Sequence, residues 1–254
     1  MHMIAAVKEA VDVDHIKIDS TTLEPALHLA PLEIEELSRN ALEAAIQLKE
    51  KHGGKVTALS FSRETIRKTI KESLAMGADE GIIVISEKEP STDVTACVLA
   101  AVLKGTEFDV LILGEGSADN YSCQVGPRIS EILDMPLAAY VRQIEVTEDG
   151  LRCVRDLEDH REVVLLPTPS IITVTNEINE PRLPSLPAIL KASKKPLREV
   201  RLGELGIPEE SLRPTVEVRS NKAPVIDRKK VVFEGELDEV VSEMASAIAR
   251  EVGR

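Results

Sequence analysis

The residues best placed to do chemistry lie in the run Gly114-Glu115-Gly116-Ser117-Ala118-Asp119. Glycines between a strand and a helix leave backbone N–H groups free, and the helix dipole adds to their pull on a phosphate. The third glycine of a dinucleotide fingerprint is missing, so the G-x-G-x-x-G pattern is not met. The alternative is a solvated turn in which Asp119 or Asn120 caps the next helix. Asp119, Asp156 and the acidic stretch from Glu33 to Glu43 offer carboxylates, but acids at helix starts usually cap or stay solvated. His15, His28, His52 and His160 have no metal-ligand spacing, so no metal site is expected. No serine sits in a nucleophile elbow, and no catalytic residue is assigned. Lys191, Lys194, Lys195, Arg198 and Arg201 crowd positive charge into one short segment. That segment reads either as a solvated linker or as a docking patch for an acidic partner.

These residues need a frame, and the first half of the chain supplies one. Short apolar runs at 3–7, 55–61, 81–85 and 109–113 read as strands. Helical periods at 33–51, 63–76, 92–104 and 121–133 alternate with them, and Gly77 reads as a helix stop. Alternation of this kind predicts an α/β fold with a parallel sheet covered on both faces. Ligands of such sheets sit beyond the carboxyl ends of the strands. The candidate loops are those after Val7, Phe61, Ile85 and Leu113. After Pro136 the pattern becomes antiparallel, over 141–147, 151–156 and 162–166, with Glu148-Asp149-Gly150 as a hairpin turn. Residues 170–175 return to the main sheet. From Asn179 to Lys230 prolines recur and periodicity is poor, which predicts an extended arm. The arm ends in an amphipathic helix over 236–251, striped by Leu237, Val240, Val241, Met244 and Ile248. That stripe either packs on its own domain or embraces a partner subunit.

Composition narrows the classes. The chain has 254 residues, 43% hydrophobic and 30% charged, which suits a globular protein with a sizeable core. A net charge of −13 argues against nucleic acid as a partner. No apolar run approaches the roughly 20 residues of a membrane helix, and the charged N-terminus is no secretory signal. Cys97, Cys123 and Cys153 are odd in number and widely spaced, which fits a reducing, cytoplasmic setting. The chain has no Trp, 2 Tyr and 3 Phe, so a cofactor ring could not depend on many aromatic walls.

The segment from Asn179 to Ala192, NEPRLPSLPAILKA, resembles the signature of the electron transfer flavoprotein β subunit, N-E-P-R-(Y/L)-x-x-L-P-x-I-(M/L)-K-A. Ala6-Val7-Lys8 with Asp12 is similar to the family's opening. Leu48-Lys49-Glu50, Glu64-Thr65-Ile66 and Leu74 to Asp79 match further family stretches. Gly114 to Gly126 is similar in register to its nucleotide loop. The resemblance implies a Rossmann-like domain of the adenine-nucleotide hydrolase type, without hydrolase activity, over residues 1–190. It places a recognition loop at 179–195. Residues 191–254 would form an arm that embraces an α subunit.

The resemblance implies an electron carrier in which the α subunit holds the redox-active FAD and this chain binds AMP. Electrons would pass from flavin dehydrogenases, of the acyl-CoA dehydrogenase type, to a quinone oxidoreductase. A second branch of the family binds FAD in place of AMP, takes hydride from NADH and divides the electron pair. Carried over by position, Ala6, Ser60, Phe61, Gly114, Asp119, Asn120, Ser122, Gln124, Val125 and Gly126 would bind the nucleotide. Arg182, Leu186, Lys191 and Lys194 would dock the dehydrogenase, and Asp156 would meet the α subunit. Gln124-Val125-Gly126-Pro127 is closer to the FAD-binding branch. The family's N-P-(F/Y)-(C/D) is here Glu35-Glu36-Leu37-Ser38, whose carboxylates would repel a phosphate. Val13 and Asp159-His160 are further departures, and a flavin wall at Val13 would be aliphatic. A nucleotide hydrolase or sensor on the same sheet is the competing class. It would need a Ser-Gly-Gly-x-Asp-Ser or glycine-spaced ATP loop, where the chain reads Lys8-Glu9-Ala10-Val11-Asp12.

Overall fold

The computed structural model describes residues 1–87, 90–225 and 228–253. The chain opens with β1 (His2–Ala6), β2 (Glu9–Val11), β3 (Leu32–Ile34), α1 (Glu36–His52), β4 (Lys55–Ser62) and α2 (Ile66–Met76). It continues with β5 (Glu80–Ile85), α3 (Thr92–Lys104), β6 (Val110–Gly114) and α4 (Val125–Leu133). Then come β7 (Leu137–Thr147), β8 (Gly150–Asp156), β9 (Arg161–Leu166) and β10 (Ser170–Val174). The last elements are α5 (Leu186–Ala192), β11 (Leu197–Val200) and α6 (Leu237–Val252).

One sheet runs β11-β5-β4-β1-β6-β10-β7-β8-β9. The strands from β11 to β7 are parallel, and β8 and β9 add an antiparallel extension. This is the expected α/β, Rossmann-like class with an antiparallel region and a terminal helix. The central strands are buried on both faces because helices cover both. Ala41, Ala44, Ala45 and Leu48 of α1 share one core with Ile70 and Leu74 of α2. Val98, Leu99 and Val102 of α3 share the other with Ile129 of α4. Alanines let α1 lie close to the sheet, where larger side chains would hold it off.

Three helix starts and one loop differ from the sequence expectation. Residues 32–34 pair with β2 in a small ribbon, so α1 begins at Glu36 and not near residue 33. The second helix begins at Ile66, three residues after Arg63. The fourth begins at Val125 and not Tyr121, because Tyr121 and Cys123 take positive φ values of 42° and 54°. Within the arm, residues 197–200 form β11 and extend the sheet beside β5. Four residues, Leu197-Arg198-Glu199-Val200, with two charges side by side between two apolar ends, show no strand alternation and do not reveal that strand.

Candidate functional site

The strands leading from β1 through β4 to β5 move one way across the sheet, and those from β6 to β10 move the other. The loops after β1 and β6 therefore part, leaving a crevice at the carboxyl ends of the strands. A cleft of about 800 Å³, its open mouth included, occupies that place. Its floor is apolar, from Ala6, Phe61, Leu99 and Leu113. Its rim is polar, from Lys8, Ser38, Thr92, Thr95, Ser117, Asn120, Ser122 and Gln124.

Gly114 brings the two walls together. A Cβ there would lie 2.6 Å from Leu37 Cβ, so β6 ends against α1 only because the residue is glycine. The N-terminus of α1 is thereby drawn under the loop after β6. Glu35 caps it. One carboxylate oxygen accepts from the Ser38 amide (2.9 Å) and the Ser38 hydroxyl (3.1 Å). The other accepts from the Ala118 amide at 3.3 Å. Burial pushes the Glu35 carboxyl up, and the amides of Ser38, Leu37 and Ala118 oppose that rise. Glu36 points to solvent. The repulsion expected from two carboxylates reduces to one, turned inward and already bonded.

Lys8 crosses the mouth of the same crevice. Its ammonium donates to both Asp119 oxygens (2.6 and 2.7 Å) and to Ser117 Oγ (3.1 Å). Ser117 Oγ in turn donates to Asp119 at 2.7 Å. Behind Lys8 the buried Glu9 carboxylate accepts from the Thr65 and Thr69 hydroxyls. On the far wall Asn120 donates to Thr92 Oγ1, which also meets Ser122 Oγ. The Tyr121 ring lies over Gly116, and its hydroxyl donates to Glu115 at 2.8 Å. That bond, helped by burial, pushes the phenol up to about 12. Gln124 spends its carbonyl oxygen on Arg128 and gives α4 no side-chain cap. The amides of Val125 and Gly126 at the start of α4 are thus left without a capping side chain.

Of the positions carried over from sequence, Ala6, Phe61, Gly114, Asn120, Ser122, Gln124 and Val125 meet in the cleft lining. Three others stand apart from it. Ser60 lies behind the wall and donates to the Val7 carbonyl at 2.6 Å. Asp119 is held at the rim by Lys8. Gly126, in the first turn of α4, is buried against β10, where a Cβ would fall 2.4 Å from Thr173 Cγ2. Ser117 lay in the glycine-bearing run without a role of its own, and Lys8, Ser38 and Thr92 were not among the residues assigned to the nucleotide. Lys8 could have been found from its place just after the first strand. Ser38 and Thr92 could not, since only the fold brings their helix starts to the crevice.

Residues 179–195, the expected recognition loop, lie at a distance along α1. Asn179 exchanges bonds with Asn40, and Arg182 grips Glu43 and Glu50 with its whole guanidinium. Lys195 caps α2 by donating to the Leu74 and Ala78 carbonyls. Between these anchors Leu183, Leu186 and Leu190 stand exposed, with Lys191 and Lys194 beside them. Asp156 binds Arg142 (2.8 Å) and Arg161 (2.9 Å) of its own chain. Among the described residues no group of acids, histidines or cysteines is arranged for a metal, and no helix is long and apolar enough to cross a membrane.

The electron transfer flavoprotein domain model matches residues 4–205. The chain is 36% identical over 214 residues to the electron transfer flavoprotein subunit beta of Bacillus subtilis, covering 83% of each chain. It is 32% identical over 255 aligned positions to the subunit beta of Thermoanaerobacterium thermosaccharolyticum, covering 98% of each. With a parallel sheet, a crevice at its switch point and these matches over most of its length, the chain belongs to the electron transfer flavoprotein β-subunit family.

Proposed function

We propose that this chain is the nucleotide-holding half of a two-chain electron carrier. Its partner is an α subunit that holds the redox FAD, and that FAD supplies the electron-transfer chemistry. In this reading the chain's own cleft binds AMP as a structural ligand. The apolar floor of Ala6, Phe61, Leu99 and Leu113 suits an adenine ring. The uncapped amides of α4 suit one phosphate. Electrons come from flavin dehydrogenases of the acyl-CoA dehydrogenase type and leave to a quinone oxidoreductase. Leu186 docks on the donor, rimmed by Lys191 and Lys194.

The observation that carries this reading is the exposed apolar surface of α5 and α6. Leu186 and Leu190 on one helix, and Leu237, Val241, Met244 and Ile248 on the other, lie open in the single chain. Surfaces of that kind mark protein partners. The testing measurement is the nucleotide content of the co-expressed pair, released by denaturation and separated by chromatography. One FAD and one AMP per pair is the expected result.

The second reading is the NADH-oxidising branch with FAD in this cleft, and Gln124-Val125-Gly126-Pro127 favours it. It requires two FAD and no AMP, together with oxidation of NADH by the pair.

A further inference from the structure

The chain's only two tyrosines, Tyr121 and Tyr140, stand at the same end of the sheet. Gly114 of β6, Val174 of β10 and Val141 of β7 form one row across it. Glu115 follows the first of these and Tyr140 precedes the last, two strands or roughly 10 Å apart. Tyr140 occupies a bulge, in which Ala139 and Tyr140 face the single Thr173. Its φ is 61°, a left-handed angle that such bulges usually give to glycine. Tyr121 is left-handed too, at 42°. Both are exposed, Tyr140 at 38% and Tyr121 at 59%. The Tyr121 ring rests one side on Gly116 and leaves the other to solvent. Its phenol lies within electrostatic reach of the Tyr140 phenol. Packing accounts for neither tyrosine: asparagine or glycine takes such angles at less strain, and an exposed ring gains little from folding. Glu115 is half-buried and accepts from the Tyr121 hydroxyl at 2.8 Å. Among the described residues no cation pairs with it. The bases of the surrounding elements are committed elsewhere, Lys8 to Asp119, Arg128 to Gln124 and Arg142 to Asp156.

We propose that Tyr121, Tyr140 and Glu115 form a socket for a basic side chain, arginine or lysine, of the α subunit. The faces of phenol rings attract a cation, and the unmatched carboxylate supplies its counter-charge. A chain of net charge −13 draws a basic guest more strongly than an acidic or neutral one. The socket rests on the two-chain reading above and adds to it a contact separate from the apolar faces of α5 and α6.

The test labels the full chain with fluorotyrosine, which gives one fluorine NMR signal per ring, and titrates it with the unlabelled α subunit. Both signals are expected to shift on pairing. Asparagine suits a left-handed backbone, so Tyr121→Asn and Tyr140→Asn each remove a ring and keep the fold. Each is expected to weaken pairing roughly three- to tenfold without lowering the melting temperature of the single chain. Glu115→Gln is expected to weaken pairing to a similar extent and to reduce its dependence on salt. Signals that stay in place while the two chains pair overturn the proposal, because the surface then lies outside the interface. Full-strength pairing by both tyrosine variants overturns it as well. Weakened pairing of those variants, with Glu115→Gln altering neither affinity nor salt dependence, means an uncharged guest such as a flat cofactor ring, and the proposal falls. In these three cases the two-chain reading stands. An α subunit that does not pair with the unaltered chain overturns both together.

Discussion

Arg182 joins the segment ahead of α5 to two carboxylates of α1, and one of them, Glu43, is almost wholly buried. Removing the guanidinium would leave that buried charge unpaired, and the loss of one member of a buried pair is strongly destabilising. Arg182 is about one-third exposed, so solvent screens part of the effect. Arg182→Ala is expected to cost about 1–3 kcal/mol, read from thermal or urea unfolding. Burial alone would raise the Glu43 carboxyl, but bonds from Arg182 and Gln47 outweigh it and hold it low. A carboxylate lowered in the folded state contributes stability above its unfolded value, which is lost as pH falls through the folded one. The gap between the two proteins should therefore shrink below about pH 4. A gap that stays constant across that range would show that Glu43 is not the coupled group. At this scale the sequence revealed residue types more readily than partners. Arg182 was legible as part of a motif, but Glu43 and Glu50 face it only because α1 runs past that motif. Asp156 likewise finds Arg142 and Arg161 across a β-ladder whose register no local pattern fixes.

Among the elements, α4 depends on its second residue. With Thr173 Cγ2 only 2.4 Å from where a Cβ would stand, Gly126→Ala must push the helix off the sheet or turn Thr173. Overpacking of this kind costs about 1–3 kcal/mol. On the AMP reading proposed above, in which the start of α4 holds the phosphate, the same change is expected to lower the AMP retained per chain. Full retention with unchanged stability would mean that α4 is not a phosphate-binding element. The second element is α5, fixed at Arg182 before it and at Lys195 after it. Its exposed Leu186 is expected to matter for docking and little for folding. Leu186→Ala should weaken binding to a flavin dehydrogenase by about 1–2 kcal/mol, roughly five- to thirtyfold. Flavin content and melting temperature should stay the same, and loss of flavin would place Leu186 elsewhere than at the docking face. The helices of the parallel half were legible because their apolar period is long. Their starts were less so. The opening of α4 is displaced by two left-handed residues, a feature that neither Tyr121 nor Cys123 announces by type.

At the scale of the whole molecule, the described part of α6 buries none of its residues. Leu237, Val241, Met244, Ile248 and Val252 fall on one side at helical spacing and meet water. Expressed alone, the chain is expected to elute above its monomer mass in chromatography with light scattering. Val241→Asp combined with Met244→Asp should return it towards a monomer and weaken its pairing with the α subunit. A single chain that is already monodisperse would count against the partner role. The sheet's centre was legible from uniform apolar runs. Its far edge was not, since β11 is four residues set among prolines and bases.

That last strand has a consequence for how the protein is made. β4 covers one side of β5, and the other side is satisfied only once residues 197–200 have been made. Until then the nascent chain carries a row of unpaired N–H and C=O groups beside an apolar strand, the type of edge that invites misassembly. The interval spans more than a hundred residues of synthesis.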